Sequence, residues 1–296
     1  MVSTRINESR GDRAFGIGVY VIATIILLIV AYPLIYVVSA SFTEPIDILT
    51  GKLILFPKSV QFRAYKAVFA SKDVLLGYRN TLIYAVIGTC INIVMTTSGA
   101  YCLSRRDMFG RTAITFMISF TMFFSGGMIP TYLVVNGLGI IDTIWAIVLP
   151  GAISTYNMIV MRTFFMGIPE SLHEAACLDG ASELQILVKV VLPLSKAILA
   201  TMLLFYGVGH WNAYMNALLY LNKKSMFPLQ SILRNMVVDG QLSEAQTQVG
   251  GGSSFQVVET TMKYAVIVVS TLPIVMIYPF VQKYFVKGVM IGSVKG

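Results

Sequence analysis

The sequence predicts an all-α integral membrane protein that crosses the bilayer with six transmembrane helices. Of its 296 residues, 56% are hydrophobic and 12% are charged, and the mean hydropathy is +0.75. Soluble domains carry about 25% charged residues, so this chain lacks the charge that a water-facing surface requires. Six long stretches contain no charged residue: Ala14–Thr43, Asn80–Ser104, Thr112–Ile141, Thr143–Met161, Ala197–Asn222 and Tyr264–Gln282.

Each neutral stretch is long enough to span a membrane, because about 20 residues of helix cross a hydrocarbon core of about 30 Å. Outer-membrane strands are instead about ten residues long and alternate in polarity, whereas these stretches are apolar on every face. We expect one transmembrane domain over 14–285, between chain ends at 1–13 and 286–296. Its spans are predicted at about 14–40, 80–104, 112–134, 143–162, 197–221 and 264–282.

The distribution of arginine predicts that both ends of the chain are cytoplasmic. Three arginines precede the first span, and three more fill the tight turn between spans two and three, whereas the outer turn at 135–141 has none. Basic residues flank the cytoplasmic ends of spans. The alternation of spans then places the loop 163–196 inside and the loops 44–79 and 223–263 outside. The six arginines are Arg5, Arg10, Arg13, Arg105, Arg106 and Arg111.

The inner loop carries helix signals although it is too polar to span. Ser171 and Glu174 have the spacing of a capping box, which predicts a short helix that begins near Ser171. Gly180 is expected to end this helix, and a second helical run, Glu183–Leu192, stops at Pro193. A helix lying on the lipid headgroups is the alternative, but the carboxylates of this segment disfavour anionic lipid. A protein partner is therefore the favoured interpretation.

The same loop resembles a known signature. Glu174-Ala175-Ala176, then Gly180, then a Val-Val-Leu-Pro run ending at Pro193, is similar to the EAA motif of permease subunits in ABC importers. The resemblance implies a type I ABC importer permease (MetI-like) fold, in which this loop forms a coupling helix seated in a groove of the ATP-binding subunit. Carried over by position, the implied ATPase-subunit interface is Glu174, Ala175, Ala176, Asp179, Gly180, Leu192 and Pro193.

The resemblance extends over nearly the whole chain and indicates the carbohydrate branch, typified by the maltose-permease G subunit. The segments 124–133, 141–145 and 161–165 look closer to a subgroup for complex or acidic oligosaccharides. That subgroup includes the smaller permease subunit of the bacterial alginate importer. The implied function is to carry oligosaccharides, such as alginate oligosaccharides, into the cytoplasm by alternating access.

The resemblance also implies partners and a location. A second homologous permease subunit, a dimer of ATP-binding subunits and an extracytoplasmic solute-binding protein would complete the importer in the bacterial cytoplasmic (inner) membrane. The chain itself would not be an enzyme and would hold no cofactor, because ATP and Mg²⁺ would be bound by the ATPase. The sequence agrees with this division, since it contains no G-x-x-x-x-G-K-[ST] nucleotide-binding loop.

Polar residues in spans four and five are candidates for the translocation path. Amides and aromatic rings in a span usually face the bundle or a water-filled path, and sugars need both stacking surfaces and hydrogen bonds. Hydrogen bonding between helices is an equally good interpretation for Asn and His, and both interpretations stay open. The candidates are Tyr156, Asn157, Trp211, Asn212, Tyr214 and Asn216.

The glycine-rich outer loop is a candidate contact for the binding protein. The resemblance implies that the loop between spans five and six inserts into the sugar site of the docked binding protein, although a flexible loop apex is the simpler interpretation. The candidates are Gln246, Gln248, Gly250, Gly251 and Ser253. Prolines in the spans, such as Pro130 and Pro150, predict kinks, which we take to serve shape rather than gating.

An ion-coupled secondary transporter or channel is the rival hypothesis. Such proteins place ionisable residues near the middle of the membrane, and the neutral stretches contain no Asp, Glu, Lys or Arg. The absence of a cation there counts against an acidic cargo, whereas the excess of basic residues in the outer loops counts for it. Three cysteines and two histidines indicate neither a disulfide framework nor a metal site.

Overall fold

A computed structural model describes residues 10–51, 55–247 and 261–279, and every regular element in these ranges is a helix. The helices are α1 (Arg10–Ser41), α2 (Pro45–Leu49), α3 (Arg63–Ala70), α4 (Lys72–Ser104), α5 (Arg111–Phe120), α6 (Met128–Gly137), α7 (Ile144–Val148), α8 (Thr155–Met166), α9 (Glu170–Leu178), α10 (Glu183–Ile186), α11 (Leu192–Leu194), α12 (Lys196–Asn212), α13 (Met215–Tyr220), α14 (Leu229–Thr247) and α15 (Thr261–Pro279). The prediction of an all-α protein is confirmed.

Three single helices are long and apolar enough to cross a membrane: Gly11–Ser41 of α1, all of α4, and α15. Two more candidate spans are pairs of helices that meet at a bend. Ile144–Gly151 and Thr155–Met166 meet at 52°, and Glu183–Leu194 and Lys196–Asn212 meet at 87°. The described part of the chain therefore contains up to five candidate spans by this measure, at five of the six predicted positions.

The prediction of one continuous helix over 112–134 is wrong. The structure places two ten-residue helices there, α5 and α6, with a break over 121–127. Each is about 15 Å long, so neither crosses the membrane alone. Gly127 has φ +85°, a conformation that side chains with a Cβ rarely adopt, and Pro130 lies in the first turn of α6. A helix cannot continue through this glycine, and the proline fits only near the start of the next one.

Other breaks also interrupt predicted spans. In the fourth span, α7 passes through a 3₁₀ turn at Leu149–Gly151 and stops before α8. In the fifth span, predicted as 197–221, α12 ends at Asn212 because Ala213 is extended, and α13 follows. The second helical run of the inner loop does not stop at Pro193 as predicted. A π-helical turn at Leu187–Val191 precedes it, so the wider turn admits the proline and the run continues to Leu194.

The described residues form two compact units, one of 10–51, 55–70, 236–247 and 261–270, and one of 71–235 and 271–279. In the first unit, α1 exposes apolar side chains along its length. Aromatic rings join the segment after α1 to α3, where Phe42 lies 4.9 Å from Tyr65 and 5.6 Å from Phe62. An edge contact of 6.1 Å joins Tyr36 to Tyr264 of α15.

In the second unit, α4 is the central helix and packs against α8 and α12. Its buried face holds many polar residues and its exposed face is largely apolar, which is the reverse of a helix in a soluble protein. That arrangement suits a helix whose outer surroundings are hydrocarbon, because polar groups gain partners only inside the protein. The buried polar residues are Asn80, Thr81, Thr89, Asn92, Thr96 and Thr97. At the inner end of the unit, α4, α8, α10 and α12 contribute to one apolar core that includes Met161, Ile186 and Met202.

Candidate functional site: the inner loop and the mid-membrane polar residues

The inner-loop helix α9 begins one residue earlier than predicted. Pro169 is its N-cap, and no side chain caps this end. The predicted capping box of Ser171 and Glu174 is therefore wrong, because Ser171 already lies within the first turn. The capping box of this loop lies at the next helix, where the side chains and amides of Ser182 and Gln185 pair reciprocally.

The end of α9 matches the prediction. Gly180 has φ +78°, the left-handed conformation that lets the chain leave a helix at little cost. Its amide donates to the carbonyl of Cys177, and the amide of Ala181 donates to the carbonyl of Ala176. Ser182 follows at once as the cap of α10. The nine-residue helix is thus held between a proline at its start and a glycine at its end.

The predicted ATPase contacts divide into two groups in the structure. Glu174, Ala175, Asp179 and Gly180 are exposed on or just after α9, next to Leu178, whose side chain is 90% exposed. Pro193 is also exposed. Ala176 and Leu192 are partly buried instead and pack against the apolar core of the second unit. The exposed group presents an apolar and acidic surface, and the other two residues anchor the loop to the body of the protein.

A hydrogen-bonded chain of four side chains connects α9 to the inner end of α4. His173 Nδ1 lies 3.0 Å from Arg105 Nη2, and His173 Nε2 lies 3.0 Å from Glu183 Oε1. Glu183 Oε2 also accepts a 2.5 Å hydrogen bond from Tyr101 Oη. A guanidinium has only donors, so Nδ1 accepts from Arg105, and Nε2 carries the proton donated to Glu183. His173 therefore bridges the loop helix and the span through both ring nitrogens.

The electrostatics of these four linked side chains follow from their hydrogen bonds. Donation by Tyr101, and then by His173, holds the pKa of the Glu183 carboxyl below its usual range, against the desolvation that raises it. A cavity of about 280 Å³ lies beside these groups, lined by Tyr101, Arg105 and His173 together with residues 165–170. An exposed ion pair of 3.4 Å between Arg106 and Glu170 adds a second link between the basic turn and α9.

A potential set of metal ligands includes two of these four linked side chains, His173 and Glu183. One donor atom each from His173, Cys177 and Glu183 lies within 4.8 Å of the others, a proximity that the sequence did not predict. The donors are those that zinc prefers, but both ring nitrogens of His173 are already engaged, one of them by the cationic Arg105. The groups are better explained as a hydrogen-bonded link, since a metal would have to displace Arg105 or the proton shared with Glu183.

The predicted path residues do not form one surface. Tyr156 is exposed near the start of α8, and its neighbour Asn157 is buried. Trp211 is buried and makes an edge contact of 5.6 Å with Tyr78, so packing explains its position. Asn216 donates a 3.4 Å hydrogen bond to the carbonyl of Ile147. Asn212 and Tyr214 are exposed around the break after α12.

Sequence reasoning missed the polar brace at the centre of the second unit. Asn92 of α4 is fully buried and donates to the carbonyls of Gly151 (2.6 Å) and Ala152 (2.8 Å). Its carbonyl oxygen lies 2.6 Å from Nε2 of His210, whose ring fits over Gly88. The signal was available, because Thr89, Asn92 and Thr96 follow each other at helical spacing on one face of a neutral stretch.

The predicted binding-protein contacts lie mostly beyond the described ranges. Gln246 belongs to the last turn of α14, and its side chain lies outside the described residues. Gln248, Gly250, Gly251 and Ser253 also lie outside them. Their role stays a prediction.

Comparison with known proteins gives consistent matches over most of the chain. Residues 74–291 match the family described as binding-protein-dependent transport system inner membrane component. The polygalacturonan/rhamnogalacturonan transport system permease protein YtcP of Bacillus subtilis is 43% identical over 286 residues, covering 96% of this chain and 99% of its own. Protein LplC of the same organism is 42% identical over 266 residues, covering 89% of each.

A solved structure agrees in fold as well as in sequence. One chain of a bacterial ABC transporter involved in the import of the acidic polysaccharide alginate superposes with a TM-score of 0.85 at 37% identity. The match covers 95% of this chain and 99% of that one.

Proposed function

This chain belongs to the family of binding-protein-dependent transport system inner membrane components, and as a member it is a non-catalytic permease subunit of an ABC importer; we propose that it carries acidic oligosaccharides. Members of the family have no cofactor of their own, and the ATPase is a separate chain. Family membership also decides against the ion-coupled transporter considered above. The full-length match to a permease of the alginate importer is the observation that carries the proposed cargo.

The chemistry of the relatives' named substrates narrows the cargo class. One relative is named for polygalacturonan and rhamnogalacturonan, and the solved one imports an acidic polysaccharide. These polymers are rich in uronic acids, so each oligosaccharide presents carboxylates as well as hydroxyl groups. The basic excess of the predicted outer loops supports an anionic cargo, because it attracts anions toward the entrance of the path.

The complete importer would contain this chain, a second homologous permease, two ATPase subunits that bind ATP and Mg²⁺, and an extracytoplasmic binding protein. In this assembly the exposed side of α9 would seat in the ATPase, and Leu178 supports that role because a side chain exposed to this degree gains most from burial in a partner. The predicted outer loop, with Gln246 and the glycines that follow, would meet the binding protein.

Alternating access requires that movement of the ATPase reaches the spans. The hydrogen-bonded side chains of Arg105, Tyr101, His173 and Glu183 join α9 to the inner end of α4. Ala176 and Leu192 also pack the same loop against the apolar core. A shift of α9 would therefore carry the inner end of α4 with it. ATP binding drives such a shift only if the ATPase dimer binds the two permease states with different affinity.

The proposed orientation places both termini in the cytoplasm. The basic turn after α4 contacts α9 through Arg105 and Arg106, so the turn and the loop that would bind the ATPase lie on one side. Basic turns belong on the cytoplasmic side, and the ATPase is a cytoplasmic protein in this proposal. The two arguments agree, which supports the orientation.

Purification of the tagged chain in detergent, followed by reconstitution, tests the proposal. We expect the second permease and the ATPase to co-purify, and proteoliposomes to take up an oligogalacturonate when ATP and binding protein are present. Glu174→Lys is expected to abolish co-purification of the ATPase, because it reverses the charge of an exposed residue of α9. Asp73→Lys, the same reversal of charge at an exposed residue of the predicted outer loop, is the control and should retain the ATPase.

The outcomes separate the parts of the proposal. If Glu174→Lys retains the ATPase and takes up sugar normally, the proposed contact between α9 and the ATPase is wrong. If the complex takes up a neutral arabinooligosaccharide but no oligogalacturonate, the proposed acidic cargo is wrong, whereas the importer function still stands.

A further inference from the structure

The break between α5 and α6 is exposed along its whole length. Residues 121–127 leave the helix, and each of them is exposed. The amides of Ser125, Gly126 and Gly127 make no hydrogen bond within the part of the chain that the structure describes. The turn therefore presents free backbone donors at its surface, between two apolar helices.

This break lies near the middle of the membrane. Ten residues of α5 separate it from Arg111 at the inner end of the span, a rise of about 15 Å against a hydrocarbon core of about 30 Å. The start of α8 lies at a similar depth, because its twelve residues rise about 18 Å from Met166. The two positions are neighbours, since the hydroxyl groups of Thr121 and Thr155 lie 3.2 Å apart.

Lipid is an unsuitable neighbour for this surface. Free backbone amides in hydrocarbon cost several kcal/mol each, so irregular backbone at this depth occurs only where it is buried in protein or lines a water-filled cavity. A helix of a partner subunit has already satisfied its own backbone groups and offers few acceptors to three free amides. Water and the hydroxyl and carboxylate oxygens of a sugar pair with them readily.

The side chains around the break have the chemistry that sugars need. Phe120 and Phe124 stack with ring centroids 4.3 Å apart and planes 15° apart, and both rings are exposed. Tyr156, at the start of α8, exposes a ring and a phenol. The apolar face of a sugar ring packs on aromatic rings, and its hydroxyl groups pair with Thr121, Thr155 and the phenol. The free amides also give a carboxylate hydrogen-bond donors where the spans hold no cation.

We propose that this surface, formed by Phe120–Gly127 with Thr155 and Tyr156 and here called the mid-membrane shelf, holds the oligosaccharide halfway through transport. The inference rests on the proposed function, because it assigns a contact site to the same cargo. It replaces most of the predicted path: Tyr156 stays, and the aromatic pair and the break of span three join it.

Thiol accessibility in the assembled importer tests the shelf. The three native cysteines, Cys90, Cys102 and Cys177, are first replaced by serine, and then Phe124→Cys is introduced. Val94→Cys is the matched control, because Val94 is 63% exposed against 64% for Phe124 and lies ten residues from the inner end of α4, about 15 Å deep. A charged, membrane-impermeant methanethiosulfonate is the reagent, applied with and without oligogalacturonate.

We expect Phe124→Cys to react and saturating oligogalacturonate to slow that reaction at least about fivefold, the sign of a site occupied more than four-fifths of the time. Val94→Cys should not react. The shelf is wrong if Phe124→Cys is as unreactive as the control, if it cross-links to the second permease, or if the sugar leaves its rate unchanged. Tyr156→Cys provides a second reporter on the other helix.

A kinetic test on the complex with its native cysteines separates this inference from the proposed function. Phe124→Ala should raise the KM for uptake about threefold to tenfold, the loss expected for one aromatic contact. Phe15→Ala, which removes an exposed ring of α1 far from the shelf in sequence, should stay within about twofold. If the unaltered complex takes up no oligosaccharide, the proposed function fails; if it does but both variants behave alike, only the shelf fails.

Discussion

The breaks in the third and fourth spans lie side by side in the membrane, joined by the hydroxyl groups of Thr121 and Thr155, but their backbone groups are treated differently. At 151–154, Asn92 donates to two carbonyls, and the hydroxyl of Tyr206 accepts a 3.2 Å hydrogen bond from the amide of Ser154. At 125–127, the structure gives the amides no partner among the described residues. One break is closed by the protein, and the other is left open.

The difference separates a structural use of a helix break from a functional one. Asn92 and Tyr206 are buried and come from α4 and α12, so the fourth span is bent around a fixed polar brace. Breaking a helix costs hydrogen bonds, and a brace that restores them indicates that the bend itself is what the fold requires. An exposed break without a brace leaves its backbone amides available to groups outside the chain. In an importer, that role falls to water, cargo or a partner.

The largest expected effect comes from removing the brace. Asn92→Leu keeps the size of the side chain but leaves the carbonyls of Gly151 and Ala152 and Nε2 of His210 without the partner that Asn92 provides. We expect a loss of about 3 kcal/mol in the free energy of unfolding, because a polar group that loses its partner inside the protein costs roughly 1–3 kcal/mol. Unfolding of the purified chain by SDS in mixed micelles measures this loss.

Ser98→Ala is the control for that experiment. Ser98 lies on the exposed face of the same helix, and its hydroxyl bonds to the carbonyl of Val94 and to no other described residue, so its loss should cost less than about 0.5 kcal/mol. Equal effects of the two changes would mean that the fourth-span break does not depend on Asn92.

The open break offers a smaller and purely conformational test. Gly127 has φ +85° and ψ −176°, a region that almost only glycine adopts, and a Cβ added there would meet no atom within 4 Å. Gly127→Ala should therefore destabilise the chain by about 2 kcal/mol through backbone strain alone. Gly126→Ala is the matched control, since its Cβ would lie in ordinary contact with Pro130, and we expect almost no change. Equal SDS unfolding midpoints would contradict this account of the break.

Much of the fold could be predicted because hydrophobic length and charge act locally. Five of the six neutral stretches coincide with candidate spans, and Gly180 correctly predicted the end of α9, since a left-handed residue is a local requirement. Ser171 was misleading for a local reason too. Pro169 starts a helix equally well, so the serine falls inside the first turn rather than at the cap.

The candidate site was harder to predict because its contacts are distant in sequence. Tyr101 and Glu183 are 82 residues apart, and Asn92 and His210 are 118 apart, so neither pair leaves a local pattern. The break at Gly127 was masked for a different reason. A neutral stretch of 30 residues satisfies every test for a span, and hydropathy does not distinguish one helix from two that are joined by a turn.

The smallest expected effect concerns the second half of the brace. Tyr206→Phe removes only the hydroxyl that accepts from Ser154 and that lies 2.7 Å from the hydroxyl of Thr96. We expect a loss of about 1 kcal/mol, the net value of a buried hydrogen bond between neutral groups. Thr96→Val removes the other partner and keeps the shape. If the two hydroxyl groups act as one unit, the double variant should lose less than the sum of the single losses in SDS unfolding. Additive losses would show that Thr96 and Tyr206 act separately, and the brace would then reduce to Asn92.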